Sequence, residues 1–135
     1  MNNTRFATSI HILTLLAMYP DELLSSEYIA GSININPVLV RKEIVHLRKK
    51  GWIDSKEGKG GGNTLAVPAR AIMLSDVFLL VRQSAILGRS NDPNPKCKVG
   101  KQINKHIDHL YEDAEHAMLK RLSRTSIAHF VKQFS

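Results

Sequence analysis

Three features of the sequence predict a mainly α fold with one small β-hairpin: a winged helix-turn-helix followed by a long C-terminal dimerisation helix. Two short helical stretches lie close together, the second basic on its free face. A glycine-rich basic segment follows, where the hydrophobic period drops from about 3.6 to 2. A single apolar stripe then runs from Val99 to Leu122.

Phe6 to Met18 is the first helix. Phe6, Ile10, Leu13 and Ala17 fall on one side, and Ile12, Leu15 and Leu16 cover much of the rest. A helix apolar nearly all round is buried on several sides. Tyr19-Pro20-Asp21 closes it, because proline cannot continue the ladder. Ser25 caps a second helix that runs to about Ser32, with Ile29 and Ala30 inward. Asn36-Pro37 opens a third. Asn supplies the capping oxygen, and Pro at the first helical position loses only an N–H that would have had no partner. This helix runs to Lys50 and stops at Gly51, a natural left-handed residue after a helix. Val40, Ile44 and Leu47 form its core stripe. Val38, Lys42, Val45 and Lys49 lie opposite, flanked by Arg41 and Arg48.

Trp52 to Lys56 alternates, and so does Thr64 to Val67. Between them Gly58, Gly60, Gly61 and Gly62 cannot hold a helix but permit a hairpin tip. Pro68 ends the hairpin and Ala69 to Met73 reads as a helical turn. Ser75 is the expected cap of a helix to Arg82, with Val77, Leu80 and Val81 inward. Gly88 to Pro95 is a loop by composition. The long helix carries Val99, Ile103, Ile107, Leu110, Tyr111, Ala114, Ala117, Met118 and Leu122 on an arc of roughly 140°. Ser126 to Phe134 is a last short helix. The expected division is 1–83 for the winged unit, 84–98 for a loop, and 99–135 for the long helix with the short one after it.

With 135 residues, 43% of them hydrophobic and 23% charged, the chain can build one ordinary core. Nineteen Lys or Arg against twelve Asp or Glu give a net charge of +7. That favours polyanionic partners, nucleic acid before an anionic membrane, with a plain basic surface as the alternative. The N-terminus lacks a signal peptide's apolar region, and no apolar stretch is long enough to span a bilayer. The expected compartment is the reducing cytoplasm.

The strongest constellation is the basic helix with the hairpin. From Asn36 to Gly62 there are seven Lys or Arg and three Asp or Glu, a local balance of +4. A helix fits the major groove of duplex DNA, and its N-terminal residues reach base edges. Asn36, Val38, Arg41 and Lys42 are the expected groove contacts. Lys56, Lys59, Gly60, Gly61 and Asn63 are the expected wing contacts, the glycines admitting close approach and the lysines neutralising phosphate. A solvated helix face beside a tight turn, or a winged module that binds protein, is the other reading. The glycines are not a nucleotide-binding P-loop, because no Lys-Ser or Lys-Thr follows the last of them.

His106, His109, Asp113 and His116 share a face of the long helix. A metal or heme sensor there is the weaker reading, a solvated face beside the dimer seam the stronger. No paired carboxylates or nucleophile–base motif stands out, so no catalysis is expected. The one cysteine, Cys97, sits between Lys96 and Lys98 near a helix start. Both features favour thiolate, so the expectations are a redox sensor or a spectator thiol.

The chain resembles the Rrf2 family of bacterial winged-helix regulators, IscR-, NsrR- and CymR-like. The matching residues are Arg5-Phe6-Ala7, Ser25 with Ile29-Ala30, Asn36-Pro37-Val38, Leu47-Arg48-Lys49, Gly51, the wing Gly58-Lys59-Gly60-Gly61-Gly62, Leu65 with Pro68, and Leu74-Ser75-Asp76-Val77. Asn94 to Gly100 is similar to the corresponding segment of the YwnA-like branch. The resemblance implies a homodimer on a pseudo-palindromic DNA operator, acting on transcription and most often repressing it. It also implies a dimer seam built from the long helix, at Val99, Ile103, Ile107, Leu110, Ala114, Ala117 and Met118. Packing of that stripe within its own chain is the alternative. Cluster-binding members carry three cysteines before the long helix. Here only Cys97 stands there, so no iron–sulfur cluster and no other cofactor is expected.

Overall fold

The computed structural model describes residues 4–82 and 86–134. The elements are α1 (Arg5–Met18), α2 (Ser26–Ile33), α3 (Pro37–Lys49), β1 (Ile53–Lys56), β2 (Gly62–Leu65), a 3₁₀ turn (Ala69–Ala71), α4 (Leu74–Val81), α5 (Lys98–Leu122) and α6 (Ile127–Val131). A second 3₁₀ turn, Lys132–Phe134, follows α6. The expected boundary at 83/84 lies outside the described residues. Among the described residues no helix is long and apolar enough to cross a membrane.

The two caps read from the helix-turn-helix sequence form as expected. Ser25 accepts a hydrogen bond from Tyr28 N at 3.0 Å, and Asn36 Oδ1 accepts one from Val38 N at 2.9 Å. Each satisfies an N–H that the helix itself leaves open. The core gathers Ile12, Leu13 and Leu16 of α1, Ile29 of α2, and Val40, Ile44 and Leu47 of α3. Ile53, Ile72, Val77 and Ile127 join it, with Leu24, Ala30, Trp52 and Leu74.

Three expectations change. Ser75 does not cap α4. The N-cap is Met73, two residues earlier, and Leu74 N donates to Thr125 O at 2.9 Å, so a distant carbonyl replaces the local cap. The second hairpin strand runs Gly62–Leu65 rather than Thr64–Val67. It pairs antiparallel with β1, from Ile53 opposite Leu65 to Lys56 opposite Gly62. On its other edge Asn63 bridges to Leu24, in the α1–α2 connection. Finally, α6 is not an appendage of the long helix. Ile127 is fully buried in the winged core, and its N–H donates to Ile72 O at 2.8 Å. The chain thus leaves the winged unit along α5 and returns to it.

Candidate nucleic-acid interface

Helix α3 turns Val40, Ile44 and Leu47 inward, and this orients its other side to solvent. Asn36, Val38, Leu39, Arg41, Lys42, Arg48 and Lys49 are exposed there. A cleft of about 370 Å³ runs between α2, α3 and the wing, lined by Ser26, Glu27, Arg41, Arg48 and Lys56 among others. Lys56 and Lys59 are exposed on the wing. Of the residues expected to contact DNA, Val38, Arg41, Lys42, Lys56, Lys59 and Gly60 are on the surface. Asn36 is exposed too, but its side-chain oxygen is taken up by the helix cap.

The wing tip depends on glycine for a physical reason. Gly61 N donates to Gly58 O at 3.0 Å, and a Cβ on Gly61 would lie 2.0 Å from Lys56 O. Gly61 is half-buried against that carbonyl. Asn63 is the misplaced member of the expected wing set. It is 5% exposed. Its Nδ2 donates to Leu24 O at 2.9 Å, and its Oδ1 accepts from Ser55 Oγ at 2.6 Å. Asn63 therefore ties the wing to the α1–α2 connection and has no polar group turned to solvent. In a strand residues two apart share a face, so Asn63, now inside β2, points the same way as Leu65, which packs against the core.

Arg41 is the one expected groove contact with an acidic partner. Its Nη1 donates to Glu27 Oε1 at 3.1 Å, across the turn of the helix-turn-helix. Lys50 lies with its Nζ 5.6 Å from the centroid of the buried Trp52 ring.

A feature missed by the sequence reading lies under α3. Glu43 is buried, and Arg5 holds it with Nε at 3.1 Å from Oε2 and Nη2 at 2.9 Å from Oε1. Ser9 Oγ donates to the same carboxylate at 3.4 Å. Arg5 Nη2 also reaches His46 Nδ1 at 2.8 Å. The hydrogen bonds to Glu43 hold the Arg5 guanidinium above its ordinary pKa; burial opposes them and the carboxylate's charge adds to them. A signal was present: Glu43 interrupts the apolar stripe three residues after Val40 and four before Leu47. An acid on a buried stripe calls for a partner charge or hydrogen-bond donors within reach.

Cys97 is exposed and sits at the N-cap of α5. The amide N–H groups of Gly100 and Val99 hold its thiol below the ordinary value, without closing a full capping hydrogen bond. Asn94 folds over this first turn. Its Oδ1 accepts from Lys96 N at 3.0 Å and its main-chain oxygen from Cys97 N at 3.2 Å. Gly100 admits that approach, since a Cβ there would lie 2.4 Å from Asn94 O.

Along α5 no residue is buried. Val99 and Leu110 are each 63% exposed, and Ile103 is 36% exposed. Ala114 and Ala117 are also exposed, while Ile107 and Met118 are half-buried. Contact with α4, together with an ion pair between Glu115 and Arg82 just after it, covers part of the helix only. Among the described residues, packing within the chain therefore leaves the stripe largely uncovered. The histidine face does not converge: among the described residues no three His, Cys, Asp or Glu side chains come together to hold a metal.

Comparison with known proteins places this architecture. The chain is 39% identical over 127 residues, 94% of each chain, to a Bacillus subtilis protein named as an HTH-type transcriptional regulator, YwnA. A solved structure described as a DNA-binding protein is 37% identical, with a TM-score of 0.74; 93% of this chain and 97% of that one are covered. The structure of CymR, described as the global cysteine regulator of B. subtilis, shares the fold at 19% identity. Its TM-score is 0.73, with 98% and 97% of the two chains covered. The names of these relatives describe regulators and a DNA-binding protein. The family profile described as Rrf2, iron-dependent transcriptional regulator, matches residues 2–133. An iron–sulfur cluster does not fit the donors present, since the sequence offers a single thiol. On its fold and across nearly its whole length, this chain belongs to the Rrf2 family of transcriptional regulators.

Proposed function

We propose that this chain acts in the cytoplasm as a homodimer that binds a pseudo-palindromic duplex DNA operator and represses transcription from it. The observation that carries this reading is the open cleft between α2, α3 and the wing, lined by Arg41, Arg48 and Lys56. In the proposed complex α3 enters the major groove. Val38, Arg41 and Lys42 meet base edges, and Asn36 contributes its remaining amide donors. Lys56 and Lys59 neutralise phosphates, while Gly60 and Gly61 bring the wing backbone close. The uncovered stripe of α5, from Val99 through Met118, is the proposed seam with the second copy. Asn63 has no contact role in this complex; it holds the wing in place.

A second element of the proposal is a thiol switch at Cys97. Its support is an exposed sulfur whose thiolate is favoured by helix amides. No cofactor takes part in the proposed complex.

The test is a mobility shift with the full-length protein and the DNA upstream of its own gene, across a salt series. A shifted complex that weakens steeply with salt is the expected result. A folded protein that shifts no duplex at low salt would favour a winged module for protein contacts. For Cys97, the comparison is DNA binding by wild type and Cys97→Ser before and after peroxide. Identical curves would remove the switch.

A further inference from the structure

The cationic face of α3 and the wing holds one carboxylate in contact with a cation. Glu27 stands in the first turn of α2, and Arg41 Nη1 donates to it at 3.1 Å. Both line the cleft that the proposed DNA complex occupies. Among the described residues Lys42, Arg48, Lys49, Lys56 and Lys59 have no acidic partner within ion-pair distance. Both side chains of the pair are exposed, so it contributes little to stability. A carboxylate beside a polyanion is unfavourable unless it does something for the arginine it faces.

We infer that Glu27 is a specificity-determining residue that holds the Arg41 guanidinium in place to read a guanine; this rests on the DNA-binding reading above. A guanidinium has five N–H donors in one plane. One goes to Glu27, and the four that remain are enough for the two acceptors, O6 and N7, that guanine presents in the major groove. Holding the fork by one corner removes rotamers that would be lost on binding. It also keeps Arg41 from swinging onto a neighbouring phosphate, a contact every sequence offers equally. Paired, Glu27 carries its charge against Arg41 rather than against the DNA. Discrimination therefore rises on both sides: the correct base gains a prepared fork, and the wrong base does not receive a phosphate contact in compensation.

The experiment uses the full-length protein and a duplex selected from a random-sequence pool by the wild type. Binding of that duplex and its single-base variants is measured for wild type, Glu27→Ala, Glu27→Gln, Arg41→Ala and the Glu27→Ala/Arg41→Ala double variant. The expected profile has one guanine per half-site whose replacement weakens the wild type about tenfold. Arg41→Ala abolishes that preference. Glu27→Ala reduces it to about threefold or less, while binding to unselected duplex holds or tightens; Glu27→Gln falls between. In the Arg41→Ala background, removing Glu27 changes no base preference. A wild-type base profile in Glu27→Ala, or the same change with and without Arg41, overturns the inference and leaves the DNA-binding reading intact. Failure of the wild type to select any duplex overturns both.

Discussion

Arg5, the first residue of α1, forms a two-point ion pair with Glu43, buried on the inner side of the candidate recognition helix. The pair fixes where α3 lies relative to the start of α1. Hydrophobic contacts alone would permit the helix to slide or roll, since they are non-directional. A bidentate pair has one good geometry.

Breaking this pair strands a charge. Arg5→Ala or Glu43→Gln is expected to lower unfolding stability by about 1–3 kcal/mol, the lower part of the range because Arg5 is partly exposed. The measurement is a urea unfolding curve. The double change Arg5→Met/Glu43→Leu is expected to recover most of the loss, because an apolar pair leaves no charge unpaired. Equal stability of Glu43→Gln and wild type would show that the pair has no structural weight.

The wing lysine has a different signature. Lys59→Ala leaves the core untouched and is expected to weaken binding to all duplexes alike. The slope of log affinity against log salt should fall by about one unit. An unchanged slope would remove Lys59 from the phosphate contacts.

Gly61→Ala acts through shape rather than charge. The new methyl has no space against Lys56 O, so the hairpin tip must open. DNA affinity is expected to drop severalfold, with a stability cost of about 1–3 kcal/mol. A variant with wild-type affinity would mean that the wing tip does not touch DNA.

Cys97 predicts a pH dependence. Its folded pKa lies below the ordinary thiol value, so thiolate accumulates at lower pH in the folded chain than in the unfolded one. Alkylation by iodoacetamide, followed against pH, should therefore reach its half-maximal rate at lower pH in the native protein than in urea. Coincident profiles would contradict the role given to the α5 amides.

The α5 stripe predicts the assembly. Val99→Glu/Leu110→Glu places charge at two positions well exposed in the single chain, so its own fold should persist. Sedimentation should report half the wild-type mass with an unchanged far-UV spectrum. A wild-type mass would relocate the seam.

What the sequence determined by itself was local. Caps at Ser25 and Asn36, the inward stripe Val40-Ile44-Leu47 and the glycine tip are set by neighbours a few residues apart, and each formed as the pattern required. The exposed cations of α3 and the stripe of α5 were legible for the same reason, since period places them on a face. Tertiary structure decided what depends on distant partners. Thr125 O replaced the expected Ser75 cap. Leu24 drew Asn63 inside, and Glu43 found Arg5 thirty-eight residues away. Helix α6 returned to the first core, and Glu27 met Arg41 across the turn. A polar group's role follows from the partner that satisfies it, and sequence spacing carries no record of partners brought together only by packing.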